Sequence, residues 1–200
     1  MKLTANTQIS VDGVVQANGG PDENGRRVLE RGGWARPLFD NKAMEFVNKF
    51  YQRADAFLFG RRTYDLFAGY WGVRADLENP IVGALNTKPK YVASNTLTAP
   101  QWSNTTVLSG DLVPAIRELR STPGGELQVH GSGTLVRWLL ENDLLDEMNV
   151  LICPVIVGQG TRLFPDRGPD SALDLVDSQT FPKGIVLHVY RPSGRPEYAS

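Results

Sequence analysis

Residues 127–160 read LQVHGSGTLVRWLLENDLLDEMNVLICPVIVGQG, and this stretch decides the fold. A short apolar run ends in Gly131-Ser132-Gly133, a segment of helical period follows, and a second apolar run closes at Gly158-Gln159-Gly160. A short apolar run bounded by glycines reads as a buried strand, and the period-3.6 segment after it as a helix. Where a strand hands over to a helix through small residues, the backbone N–H groups of the first helical turn can meet an anion.

The same strand-then-helix unit recurs on working outward. Upstream, Leu3 to Ser10 is rich in Thr and apolar residues, reads as an opening strand and breaks at Val11-Asp12-Gly13, a turn signal. Residues Gln16 to Gly33 are rich in Gly, Asn, Asp, Glu and Arg and form a long loop of the length used for lids and binding segments. Trp34, Leu38 and Phe39 pin its far end to the body. Asp40 caps a helix from Asn41 to about Tyr51, with Met44, Val47 and Phe50 or Tyr51 on its inner face. Ala56 to Phe59 is a strand buried on both faces; it stops at Gly60, and Arg61-Arg62-Thr63-Tyr64 opens a helix to about Gly69. Tyr91 to Ala93 is a short strand ending at Ser94-Asn95, and Val107-Leu108 a brief one. Asp111 caps Leu112 to Arg120, which Pro123-Gly124-Gly125 terminates. Downstream, Ala172–Val176 and Ile185–Tyr190 close the sheet. Strands alternating with helices and then closing β elements predict an α/β fold: a mainly parallel central sheet, helices on both faces, and an antiparallel C-terminal edge. Residues 1–192 form one domain and 193–200 a frayed tail.

Composition sets the outer limits. Two hundred residues with 41% hydrophobic and 22% charged content provide a full core, and a net charge of −1 gives no field for nucleic acid or an anionic membrane. No apolar run reaches the ~20 residues of a bilayer span, and the N-terminus has no apolar signal core. One cysteine, Cys153, and two histidines, His130 and His188, exclude a disulfide and argue against a thiol or histidine zinc site. The expectation is a cytoplasmic, soluble, metal-free protein.

Three strand ends share one design: Gly60-Arg61-Arg62-Thr63, Ser94-Asn95 and Gly131-Ser132-Gly133-Thr134. In an open α/β sheet, ligands bind along the carboxyl edge of the strands. Glycine admits close backbone approach, helix N-termini favour negative charge, and two arginines offer forked donors to phosphate oxygens. The pattern suits a dinucleotide, although the third glycine of G-x-G-x-x-G is replaced by Leu135-Val136.

These motifs carry a resemblance over nearly the whole chain. Ser10-Val11-Asp12-Gly13, Phe59 to Tyr64, Tyr91 to Asn95, His130 to Leu135 with Leu144-Leu145-Asp146-Glu147, and Pro154 to Gly160 resemble the dihydrofolate-reductase-like superfamily. Within it, the chain is similar to stand-alone relatives of the C-terminal reductase domain of bifunctional riboflavin-biosynthesis proteins. The resemblance implies an NADPH-dependent reductase of a small flat heterocycle. Gly60, Arg61, Arg62 and Thr63 would then serve the pyrophosphate and 2′-phosphate, and Ser94 and Asn95 the adenosine phosphate. Gly131, Ser132, Gly133 and Thr134 would serve the pyrophosphate and nicotinamide ribose. It also implies a mobile cover from Asp12 to about Gly33 and a homodimer to which the apolar 150s contribute.

The departures concern substrate. Asn6 stands where the riboflavin enzymes carry lysine, His130-Gly131-Ser132 replaces Glu-Gly-Gly, and Tyr64 to Tyr70 reads as plain helix. The catalytic candidates are Asp40, Asp12 and His130, each beside a structural reading: a helix cap, a turn former and a packed core histidine. Cys153 reads as a buried small hydrophobe and Asp146-Glu147 as a solvated turn. Two alternatives stand beside the reductase: a non-catalytic nucleotide-binding module, and a genuine riboflavin-pathway 5-amino-6-(5-phosphoribosylamino)uracil reductase.

Overall fold

The first strand, β1 (Lys2–Ser10), alternates Leu3 and Ala5 with Thr4, Asn6 and Gln8, the period-2 pattern of a strand with two different faces. In the computed structural model, which describes residues 1–20, 22–23, 26–27, 29–168 and 170–199, both of those faces are covered. Thr4 and Asn6 are as buried as Leu3 and Ala5.

The chain continues through a small hairpin, β2 (Asp22–Glu23) and β3 (Arg26–Arg27), and then α1 (Asn41–Arg53), β4 (Ala54–Gly60) and α2 (Arg61–Tyr70). Next come α3 (Pro80–Thr87), β5 (Lys90–Ala93), β6 (Thr105–Leu108), α4 (Leu112–Ser121), β7 (Glu126–Val129) and α5 (Gly133–Glu141). β8 (Glu147–Cys153), β9 (Leu173–Thr180) and β10 (Val186–Pro192) complete the chain. The main sheet runs β6-β5-β4-β7-β1-β8-β10-β9. Every pair from β6 to β8 is parallel, and β10 is antiparallel to both neighbours. The α/β fold with a mainly parallel sheet and an antiparallel C-terminal edge is therefore as expected.

Helices cover both faces. On one, Ile116 of α4 and Leu135, Val136 and Leu139 of α5 pack on Leu3, Ala5, Leu58, Leu127 and Val129. On the other, Tyr51 of α1, Tyr64 of α2 and Ile81 and Leu85 of α3 pack on Phe57, Phe59 and Val92. Phe57 and Phe59 are both fully buried, and each such side chain contributes about 1.5–3 kcal/mol from the water it sheds.

Several local expectations change. α3 was not legible as a helix because its eight residues, PIVGALNT, lack an amphipathic stripe: Ile81, Val82, Ala84 and Leu85 are all buried. It is fixed by its ends, with Asn79 Oδ1 accepting from Ile81 N (3.1 Å) and Val82 N (3.2 Å) and proline opening the first turn. On α1, Phe50 and Tyr51 are buried and Val47 packs inward as expected, but Met44 is 38% exposed and Ala43, fully buried, takes its place, with Ala43 and Phe46 packing on Leu151, Cys153 and Leu187. Asp146-Glu147 is no solvated turn. Asp146 accepts from Leu3 N at 2.8 Å and pairs with Arg120, while Glu147 is buried and bonds Lys2 at 2.7 Å. In the 150s segment, residues up to Cys153 belong to β8, between β1 and β10, and Ile156 beyond it is 73% exposed. Tail residues Arg195 (2.7 Å) and Tyr198 (3.0 Å) both bind Asp170. Cys153 is a fully buried free thiol, as expected. Among the described residues no helix is long and apolar enough to cross a membrane.

Candidate active site

Parallel pairing sets β5, β4 and β7 side by side, so their carboxyl ends form one continuous edge. Adjacent strands lie about 4.8 Å apart, which puts Ser94-Asn95, Gly60 and Gly131 in a row. The last two are locked together, with Gly60 N donating to Gly131 O at 3.2 Å. A Cβ on Gly60 would stand 2.6 Å from Ser132 Oγ, and one on Gly131, where φ is +120°, 2.9 Å from Thr63 Oγ1. Glycine is required at Gly131 and relieves crowding at Gly60, and the backbone is left bare along the edge.

The helix starts on this edge differ from the others. Asp40, Asn79 and Asp111 cap α1, α3 and α4 with side-chain oxygens, and Ser132 caps α5 through a long 3.4 Å bond to Leu135 N. α2 alone among the five has no side-chain cap, so its first-turn N–H groups and the dipole of the helix are available to an anion. Arg61 stands there with its Nε held by Asp65 (2.9 and 2.8 Å), and Arg62 is exposed beside it. Ser94 Oγ accepts from Thr96 N and Leu97 N, and Asn95 Oδ1 accepts from Gly110 N, so this pair shapes the β5 end. Thr134 is exposed and accepts from Arg137 Nη2 at 3.3 Å.

Beside this edge, under α1, lies a cavity of about 40 Å³ open to solvent, room for a few waters. Its floor is polar. The register sets Asn6 opposite Asn149 and Thr4 opposite Gln128, and all four are at least nine-tenths buried. Asn149 Nδ2 donates to Asn6 Oδ1 at 2.9 Å. Gln128 Nε2 donates to Phe50 O (2.9 Å) and Glu126 Oε2 (2.6 Å), which leaves its Oε1 to face His130 Nε2 at 3.0 Å. The proton of the neutral imidazole is therefore on Nε2, and Nδ1 is an acceptor with no partner among the described residues. The His130 ring stacks on Tyr51 (4.4 Å, 19°) and meets the edge of Phe50 at 6.0 Å. Burial in this aromatic shell lowers its pKa to about 3 and raises that of Tyr51.

Of the three catalytic candidates, only His130 lines the cavity. Asp12 clamps two loops: Oδ1 accepts from Ser10 Oγ (2.6 Å) and Val157 N (3.0 Å), and Oδ2 from Gly158 N (2.8 Å). These bonds, the Ser10 hydroxyl first, hold its pKa down to about 2. Asp40 Oδ1 accepts from Ala43 N and Oδ2 from Lys183 N, both at 3.0 Å, and those bonds, led by Ala43, lower its pKa. Each carboxylate is spent on structure. Asp40→Asn, which keeps a capping oxygen, is expected to leave turnover unchanged and to lower the melting temperature slightly. Steady-state kinetics beside thermal unfolding check this, and a lost kcat with an intact fold would restore Asp40 as a catalytic group.

Gln128 and Asn149 were not singled out in the sequence, although each is an amide inside an apolar strand, the one available signal. The expected cover from Asp12 to Gly33 is tied at both ends, with Val15 N donating to Thr161 O (2.9 Å) and Gly33 N to Ala17 O (2.7 Å). Its tip, including residues 21, 24, 25 and 28, lies outside the described residues. Among the described residues no group of three or more His, Cys, Asp or Glu is placed to hold a metal.

Known proteins are similar to this chain. The family model for the RibD C-terminal domain matches residues 1–187. The uncharacterized protein YyaP of Bacillus subtilis is 29% identical over 148 residues, covering 72% of this chain and 78% of its own. YwjB of the same organism is 23% identical, covering 76% and 83%. A crystal structure of a putative riboflavin biosynthesis protein from Shewanella superposes with a TM-score of 0.72 at 24% identity, over 96% of this chain and 99% of that one. Acinetobacter baumannii RibD gives a TM-score of 0.64 at 14% identity, with 96% of this chain on 58% of that protein. With the match running from β1 into β10, the chain belongs to the RibD C-terminal domain family and has the dihydrofolate-reductase-like fold.

Proposed function

We propose that the protein is a cytoplasmic NADPH-dependent oxidoreductase that reduces a small flat heterocycle of pterin or aminopyrimidine type by hydride transfer. Family membership implies reductase-type chemistry; cofactor and substrate class are the proposal. The observation that carries it is the bare backbone edge from Ser94 through Gly60 to Gly131, running directly into the aromatic and amide-lined cavity. The α2 N-terminus with Arg61, Arg62 and Thr63 would hold phosphate oxygens, Ser94 and Asn95 the adenosine side, and Gly131 to Thr134 the pyrophosphate and ribose. When bound, NADPH supplies the hydride. The chain's own part is orientation: Phe50, Tyr51 and His130 wall the cavity, the amides face the ring, and α1 keeps bulk water from the sheet.

Titration with NADPH tests the reading. At about 100 times Kd, ligand stabilises by roughly 2.7 kcal/mol, a rise in melting temperature of about 5–10 °C for a chain of this size. No shift at millimolar cofactor would overturn it. Replacing Arg61 and Arg62 together by Ala is expected to weaken NADPH about 10- to 100-fold, the equivalent of a charge-assisted hydrogen bond or two, and NADH little. Equal losses for both cofactors would remove the 2′-phosphate assignment.

One observation favours the binding-module alternative: among the described residues no carboxyl group lines the cavity to deliver a proton. Steady NADPH oxidation with any pterin or aminopyrimidine excludes it, and turnover of the pathway's phosphoribosylaminouracil would instead select the riboflavin enzyme. The proposal includes a homodimer and a single domain ending with β10. Its contact falls to the outer strand β9, an unpaired edge where Leu175 and Val176 are 55% and 43% exposed.

A further inference from the structure

We infer that the cavity beneath α1 selects an uncharged ring, reading its lactam or amidine edge through the Asn6–Asn149 amide pair and the His130 Nδ1 acceptor, and that it rejects anionic, phosphorylated or carboxylated versions of that ring. The inference deepens the reductase reading and rests on it for the role of the ring as substrate.

The argument begins with what the strands could have carried. Asn6 and Asn149 occupy opposed positions on β1 and β8, at the centre of the sheet, where an apolar pair would pack at no desolvation cost. Two amides there are tolerated because they bond each other, but one bond does not saturate them. Asn149 keeps its Oδ1 and a second Nδ2 proton, and Asn6 keeps an Nδ2 proton beyond a long 3.5 Å bond to Thr4 O. Both residues line the cavity. Donor and acceptor side by side match the N–H and C=O of a lactam, or the N and NH₂ of an aminopyrimidine.

Charge is the second half. Every residue lining the cavity is uncharged in type or, for His130, held neutral by burial. The nearest ionised groups on these strands lie at their amino ends and are already paired: Glu126 with Arg53 at 3.4 Å, and Glu147 with Lys2 at 2.7 Å and Arg191 at 3.6 Å. An anion placed under α1 would lose hydration and meet no unpaired cation among the lining residues. Phe50, Tyr51 and His130, packed against one another, give the cavity an aromatic side beside its amides.

The test uses two fluorescent flat rings that differ by one charge. Pterin and pterin-6-carboxylate are titrated into the full chain with and without saturating NADPH, and the NADPH-induced melting shift is measured on the same samples. Pterin is expected to bind at least about tenfold tighter than the carboxylate. Asn149→Asp, which turns the donor facing Asn6 Oδ1 into an acceptor, is expected to weaken pterin about tenfold or more and leave the NADPH shift intact. Asn6→Ser serves as the second variant if Asn149→Asp does not fold, and the wild-type comparison decides by itself. Equal or tighter binding of the carboxylate, or no pterin binding by protein that binds NADPH, overturns the inference and leaves the reductase reading standing. Selective pterin binding without an NADPH shift supports the inference and sinks the cofactor reading.

Discussion

Gly131→Ala is expected to lower the stability of the protein by about 2–5 kcal/mol and to weaken NADPH by about two orders of magnitude. Two costs combine. The residue sits at φ +120°, outside the range of an L side chain, and such strain amounts to about 1–3 kcal/mol. The new Cβ would also lie 2.9 Å from Thr63 Oγ1, forcing the β7–α5 junction away from the first turn of α2 at an overpacking cost of about 1–3 kcal/mol. That displacement breaks the Gly60 N to Gly131 O bond that holds the two ledges together. The melting temperature is expected to fall by roughly 5–15 °C, and the NADPH-induced shift to vanish. Gly60→Ala is the milder partner, since its Cβ meets the Ser132 hydroxyl, which can rotate away. An unchanged melting temperature together with an unchanged NADPH shift for Gly131→Ala would show that no cofactor crosses this junction.

Acidification supplies the second large effect. His130 titrates at about 3 in the folded chain against 6.5 for an ordinary histidine, because burial among Tyr51, Phe50 and Phe57 disfavours the imidazolium. Between those values the unfolded chain binds a proton that the folded chain does not, so stability is full above pH 6.5 and falls as the pH drops toward 3. Over the whole interval the loss is on the order of 5 kcal/mol, each pKa unit being worth about 1.4 kcal/mol. His130→Gln keeps a donor for Gln128 and cannot titrate. Urea unfolding at neutral and acid pH is therefore expected to show a flatter acid limb for the variant. Asp12, held at about 2 by Ser10 and the Val157 and Gly158 amides, adds its own loss below its ordinary 3.8, in both proteins alike. Parallel acid limbs would mean that the His130 ring is open to water.

These two residues also mark where the sequence was readable. Gly131 announced itself, because a glycine between a buried strand and a helix has few other reasons to be there, and its partners at Gly60 and Ser94 repeated the theme. His130 was visible as an anomaly in an apolar run, and the structure turns it from a possible donor into an acceptor, since Gln128 fixes the tautomer. Asp12 and Asp40 are ambiguous in any sequence: a carboxylate before Gly or before a helix looks the same whether it binds a ligand or, as here, the backbone N–H groups of Val157, Gly158, Ala43 and Lys183. α3 stayed hidden because its eight residues are too short a run to display a helical period.

The sequence by itself determined the strand–helix alternation, the parallel sheet with its antiparallel edge, and the glycine ledges, because local period, turn chemistry and capping are written in neighbouring residues. Only the tertiary structure decided what the ledges face. Thr4, Asn6 and Gln8 alternate with apolar residues as on any strand with one wet face, and nothing nearby in the chain says that α1 will close over them. Parallel pairing across 143 positions brings Asn149 to Asn6, and the crossover through β4 and β7 delivers Gln128 and His130 to the same floor. A local pattern can specify an element; a site assembled from distant strands exists only once the sheet order is set.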